Sequence, residues 1–281
     1  MKDLCIKLVG FMLITSLSLM ASGPRVTGAF FAPIQNEIVA VEAPPFYSSN
    51  NPNGGMAFEI VAAALENQKE TAVLTTYPVQ RMVNYYVTQE KVLAALGIHL
   101  SLSKAEKKNV LSIPIAIIND QYIYYKPAHP KGISWGGKLS ELKGLTVGAH
   151  EGEDVKEFEK AKIKVVYGRS NFLFKKLKTG KVDFVKVHAL SAKAIIDRYF
   201  ASDKNKFGVM EYEPKKLVCK IYFNLNNTDA EKISKKFTKG LSAILNNGKY
   251  QEIIQKYEGK TAFFSKNIAE FKTLWKKELI K

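Results

Sequence analysis

Apolar and polar positions along the chain follow two periods, and these sort most of it into short strands and amphipathic helices. Residues 37–43 (EIVAVEA) read as a strand closed by Pro44-Pro45, and residues 46–55 (FYSSNNPNGG) as a turn-rich loop. Met56, Phe58, Ile60, Val61, Ala64 and Leu65 recur at helical spacing, which predicts a helix over 56–68. A strand over 72–76 follows. Next comes a helix from Pro78 to about Thr88, with proline in the first turn, where its missing N–H is harmless. Residues 92–96 form a third, almost wholly apolar strand. Strand, helix, strand, helix, strand in this spacing is the pattern of a buried parallel sheet.

The pattern then restarts. A strand is predicted over 121–126 (QYIYYK), then a helical turn from Leu139, a stop at Gly144 and a strand around Val147. Residues 154–160 begin a helix, Val165 and Val166 mark a strand, and Ser170 is placed to cap a helix over 171–178. A strand over 181–187 and a helix over 191–199 close this block. Beyond it lie a strand over 218–224, helices over 229–245 and 249–257, and a final helix over 265–279. That helix carries Ile268, Phe271, Leu274 and Trp275 on one face. Residues 89–94 (QEKVLA) and 179–184 (TGKVDF) each place a helix end, a lysine and an apolar strand in succession. This weak repeat points to two similar α/β lobes.

Composition narrows the picture. With 281 residues, 46% of them hydrophobic, the chain can bury a large core, which excludes disorder, collagen and a small disulfide scaffold. Lys2 and Lys7 precede an apolar run over 8–20, shorter than the ~20 residues a spanning helix needs. Residues 1–29 are therefore expected to be a cleaved secretory signal, delivering the protein to the periplasm, with membrane contact only before cleavage. Cys5 leaves with that segment, and Cys219 is left as a lone, strand-buried, inert thiol. The net charge is 42 − 26 = +16, but the lysines are spread over helices (Lys156, Lys160, Lys175, Lys176, Lys235, Lys236). No zinc-finger spacing or RNP-type strand accompanies them, so the charge reads as a solvated surface and no nucleic-acid partner is expected. The four histidines show no close metal spacing, and no nucleophile elbow, zinc-protease motif or phosphate loop is present. No metal, no cofactor and no enzymatic activity are expected.

Several segments, taken in order, resemble the type 2 periplasmic solute-binding proteins of ABC importers, in the amino-acid-binding branch (bacterial family 3). They are Pro44-Pro45-Phe46 followed by Gly55-Met56-Ala57-Phe58-Glu59; Pro78-Val79-Gln80-Arg81; Leu111-Ser112-Ile113-Pro114; and Leu142-Lys143-Gly144-Leu145-Thr146-Val147-Gly148. Leu177-Lys178-Thr179-Gly180-Lys181-Val182-Asp183 and the closing pair Asn247-Gly248-Lys249-Tyr250 and Lys256-Tyr257 complete the series. The resemblance implies an α/β fold of two Rossmann-like lobes joined by two crossover strands, with a cleft between them. Lobe 1 would be residues 37–118 plus 218–281, and lobe 2 residues 119–217. Hinge closure would bury a small-molecule ligand. The implied partners are an ABC permease or a sensor protein, with the chain itself a monomer.

The departures from the family pattern bear on the ligand. The family's carboxylate-binding Arg falls on Glu106, or on Lys107 with a slip of one. Its second-lobe hydroxyl donors fall after Gly152 on Glu153 and Asp154, and its ammonium-binding Asp falls on His188. A standard amino acid is therefore not the expected ligand; a small polar or anionic molecule is. The resemblance points to Phe46 and Tyr47 as aromatic contacts, Arg81 as an anion clamp, and His99, Ser101 and His188 as polar contacts, while His150, Glu151 and Glu153 read as a solvated turn. His188 and Ser101 are expected to face each other, with Phe46 or Tyr47 over the ligand and Arg81 nearby. Replacing an Asp by His188 should shift preference from ammonium toward acceptors and anions, more so in mild acid. Two alternatives use the same fold: a ligand-sensing or partner-binding module without transport, and a periplasmic dehydratase-like enzyme, which the missing carboxylate clamp disfavours.

Overall fold

The first strand, β1 (Glu37–Val41), is buried at four successive positions, as befits the middle of a sheet covered on both faces. The computed structural model describes residues 36–281 except 52, 151–154, 212–215, 260–261 and 280–281, and not the side chains of 262–265. The expected signal segment over 1–29 lies outside the described residues. β1 pairs in parallel with β2 (Val73–Tyr77) and β3 (Val92–Gly97), and α1 (Met56–Glu66) and α2 (Val79–Thr88) make the crossovers. Both sequence-predicted helices and all three strands of this block are present, with ends shifted by one or two residues.

The sheet continues through β4 (Val110–Tyr125), a strand of 16 residues. Its first part pairs antiparallel with β9 (Lys216–Asn224), which also lies against β3. Its last part pairs antiparallel with β7 (Phe184–His188) and β8 (Phe207–Val209). β7 lies parallel to β5 (Thr146–Ala149), and β5 to β6 (Lys164–Tyr167). The strand order is β2-β1-β3-β9-β4-β7-β5-β6, with β8 beside β4. α3 (Lys156–Lys160), α4 (Ser170–Lys178) and α5 (Ala189–Tyr199) accompany the second half. α6 (Ala230–Asn246), α7 (Lys249–Glu258) and α8 (Ala262–Glu278) close the chain.

Four departures from the sequence reading have physical causes. β4 begins eleven residues before the predicted 121–126, at Val110. Pro114, which removes a ladder donor, sits where the register against β9 slips between Pro114 and Ala116. β7 starts at Phe184 because Asp183 is spent on a turn: its N–H donates to Thr146 O at 2.8 Å, and its Oδ2 accepts from Thr146 N–H at 2.7 Å. Ser170 is the first helical residue of α4 and not its cap; Arg169 holds the cap position without a side-chain bond, and Ser170 Oγ lies 3.3 Å from His150 Nε2. β8 is three residues long, too short to carry a periodicity.

The buried apolar residues fall into separate cores. The largest joins Ile38, Ile60 and Ile118 to Cys219, Phe237 and Phe271; two others lie wholly within residues 122–210. Cys219 is fully buried, and burial pushes its thiol up to about 12, so it is inert at neutral pH. α8 joins the main core through the apolar face expected of it. Phe271 stacks on Tyr250 at 5.1 Å, and Trp275 Nε1 donates to Ser242 Oγ at 3.0 Å. α1 and α6 approach backbone to side at Gly240, where a Cβ would lie 1.8 Å from Ala64 O. No helix among the described residues is long and apolar enough to cross a membrane.

Candidate ligand site at the strand crossing

The loop after β1 is built around one carboxylate. Glu42 accepts from Thr76 Oγ1 at 2.7 Å, from Ser49 N–H at 3.2 Å and from the Ser48 hydroxyl, tying the loop to β2. Burial raises the Glu42 pKa, but these donors outweigh it and hold the carboxyl below its usual range. The Pro44–Pro45 bond is cis, and Ala43 bridges to Tyr47. The carbonyls of Pro45 and Phe46 then accept the first N–H groups of α1, from Met56 and Ala57, each at 2.9 Å. That closure needs glycine at position 55, with φ 90°, because a Cβ there would meet Phe46 and Pro45 backbone atoms at 2.7 Å.

So held, Phe46 is 2% exposed and meets the His188 imidazole edge to face, with centroids 5.5 Å apart and planes at 89°. His188 ends β7, opposite Asp120 in the antiparallel β4–β7 ladder. Asp120 Oδ1 lies 2.5 Å from His188 Nδ1 and its Oδ2 lies 3.8 Å from Lys186 Nζ. The contact with Nδ1 is a close charge contact not aligned as an N–H···O bond. The Asp120 side chain is 4% exposed and that of His188 29%. The anion that the family pattern puts at position 188 therefore sits one strand away, beneath the imidazole. With Nδ1 turned to Asp120, Nε2 is the ring nitrogen left to meet a ligand. Ser191, in the first turn of α5, adds a bond from its Oγ to Pro44 O at 3.2 Å, which closes the loop onto α5.

The other sequence candidates lie on the β1 loop, on α2 and in the loop after β3. Tyr47 is 8% exposed within the main core, and burial pushes its hydroxyl far above the normal tyrosine range. Arg81 is exposed in the first turn of α2, with its guanidinium 5.1 Å from the centre of the Tyr77 ring. His99 and Ser101 are exposed in the loop after β3, flanking buried Leu100. Among the described residues no hydrogen bond or ring contact joins Arg81, His99 or Ser101 to Phe46 or His188. Glu106 closes its own turn: its Oε2 accepts from Ser103 N–H at 2.6 Å, while its N–H donates to Ser103 Oγ at 3.2 Å. Glu151, Gly152, Glu153 and Asp154 lie outside the described residues, and His150 is half-buried.

Asp120 and its neighbour Asn119 were missed in the sequence reading. Their signal is an Asn-Asp-Gln break in the run IPIAIINDQYIYY, two of whose polar side chains are buried. Polar residues inside an apolar strand need partners, and so mark a built site. Among the described residues no three His, Cys, Asp or Glu side chains converge as a metal site would require.

No family model and no curated protein sequence matches the chain. Solved structures do. The ligand-binding core of GluR0 from Nostoc punctiforme, in complex with L-glutamate, is 18% identical, with 80% of this chain and 99% of that chain covered and a TM-score of 0.61. A histidine kinase sensor domain with similarity to periplasmic binding proteins is 18% identical, covering 80% and 96%, with a TM-score of 0.62. The periplasmic binding protein of an arginine transport system from Legionella pneumophila is 18% identical, covering 80% and 99%, with a TM-score of 0.60. At such identities the likeness is one of fold: the chain has the two-lobe periplasmic-binding-protein fold, as its sequence motifs suggest.

Proposed function

We propose that the chain is an exported solute-binding protein. It captures a small polar molecule between two lobes, residues 37–118 plus 218–281 and residues 119–217, and delivers it to an ABC importer from the periplasm, as a monomer and without chemical turnover. The carrying observation is the meeting of Phe46, from the β1 loop, with His188 and the Asp120 carboxylate beneath it, at the point where β4 passes from one half of the sheet to the other. The separate cores support the lobe division. The pairing of Asn119 with Lys216 lays β4 beside β9, which supports reading these two strands as the hinge. Phe46 supplies an apolar wall, His188 Nε2 the polar contact, and the exposed Arg81, His99 and Ser101 the surrounding rim.

The sensor reading has its own support in the histidine kinase sensor domain and the GluR0 core of the same fold. Adjacent permease and ATPase genes favour import, and an adjacent kinase gene favours sensing. Melting-temperature shifts across a metabolite library test the binding reading, since a ligand at 100 times Kd adds about 2.7 kcal/mol. A polar hit whose shift falls in His188→Ala and Phe46→Ala supports it. A library without a saturable shift, or a hit indifferent to both substitutions, overturns it.

A further inference from the structure

A recess of about 170 Å³ adjoins Phe46 without involving His188, and Ile118, Asn119, Gln121, Leu190 and Glu258 line it. Its walls come from β4 at the strand crossing, the start of α5, the end of α7 and, through Asn267, α8. Two acceptors there lack donors. Asn119 is 8% exposed and gives its Nδ2 to Asn267 Oδ1 at 3.3 Å, but its own Oδ1 has no partner. Glu258 ends α7 and makes no hydrogen bond or ion pair with any described residue. Its neighbours Lys256 and Tyr257 are both engaged by Glu59, each at 2.8 Å. Burial pushes the Glu258 carboxyl up to about 7. Lys193 also borders the recess, but its ammonium pairs with Asp197 at 2.5 Å, so it does not compensate Glu258.

A half-buried carboxylate, an unused amide oxygen and the carbonyl end of a helix all favour the same visitor, a cation with N–H donors. The remaining walls, Phe46, Ile118 and Leu190, are apolar. The volume equals about five or six liquid waters, which suits a short aliphatic amine. We infer that this recess is a second binding site, for a small alkylammonium, with Glu258 and Asn119 Oδ1 accepting from the ammonium and Phe46, Ile118 and Leu190 holding the tail. Because its walls span the strand crossing, occupancy is coupled to the hinge, with Phe46 as the wall shared with the His188 site.

The test is titration of the purified full-length chain at pH 8 with n-butylammonium chloride, followed by calorimetry and melting temperature. Sodium chloride and sodium butyrate serve as controls. The expected result is saturable binding of the amine and none of butyrate. Glu258→Gln and the pocket-filling Leu190→Trp should each weaken it at least about tenfold. If Glu258→Gln fails to fold, Leu190→Trp decides. No saturable binding beyond sodium chloride, equal binding of butyrate, or wild-type affinity in Leu190→Trp would each overturn the inference. The library screen for the His188 site is read separately, so either site can fail without the other.

Discussion

Asp120 and His188 stand opposite each other in the β4–β7 ladder, with Oδ1 2.5 Å from Nδ1, and the two differ sharply in exposure: 4% against 29% for their side chains. In the proposed function the buried member anchors and the exposed member contacts the ligand. Asp120→Asn removes a buried charge that Lys186 and His188 both face, and should destabilise the fold by about 2–3 kcal/mol. His188→Ala should destabilise it by less than about 1 kcal/mol while weakening the ligand. Urea unfolding of both variants checks this; equal losses would show that the pair has no such division of roles.

Glu42 makes a pH prediction of one sign. Its folded pKa lies below its ordinary 4.5, so its stabilisation is present above that value and lost as pH falls through the lower folded one. Glu42→Gln should therefore lower stability by about 0.5–1 kcal/mol at pH 7, a modest figure because the group is largely exposed. Chemical denaturation at pH 7 and pH 3 should show the gap closing in acid.

Glu258 makes the opposite one. Its folded pKa is raised from 4.5 to about 7, so its stabilisation is present in acid and lost as pH rises through that window. Glu258→Gln should flatten the slope and leave the chain about 1–2 kcal/mol more stable than wild type at pH 8, with residual exposure limiting the gain. Taking the difference between the two proteins cancels the contribution of every group common to both. A variant no more stable than wild type at pH 8 would contradict the burial of that carboxyl.

Gly240 tests the packing of α1 on α6. A Cβ there would lie 1.8 Å from Ala64 O, and backbone cannot give way as a side-chain tip can. Gly240→Ala should cost about 3 kcal/mol despite the better helix propensity of alanine. Thermal unfolding with a loss below about 1 kcal/mol would show that the helices separate easily.

The fold was legible in the sequence wherever one period ran uninterrupted. α1 follows from Met56, Phe58, Ile60, Val61, Ala64 and Leu65, and β3 from its unbroken apolar run, and both stand within a residue or two of expectation. β4 was half hidden because Pro114 breaks the alternation and Asn119 and Asp120 are buried polar residues in a strand. Phe46 and His188 could be named from motif position, since loop and strand ends are local features. The Asp120 contact could not, because antiparallel register between residues 68 positions apart is decided by the whole sheet. Glu258 carried no local signal: it lies on a helix, and its burial arises only where β4, α5 and α8 converge.

The central claim is that a small ligand closes two lobes about the strand crossing, and the most direct test is a distance. Asn84, on α2, and Lys175, on α4, are exposed, whereas Cys219 is fully buried with its thiol pushed up to about 12 and will not label. With Cys5→Ser, spin labels at Asn84→Cys and Lys175→Cys report the separation of the two halves by double electron–electron resonance. Saturation with the polar hit from the metabolite screen should shorten and narrow the distance distribution, and His188→Ala should blunt that response at the same concentration. A distribution unchanged at saturating ligand would contradict lobe closure.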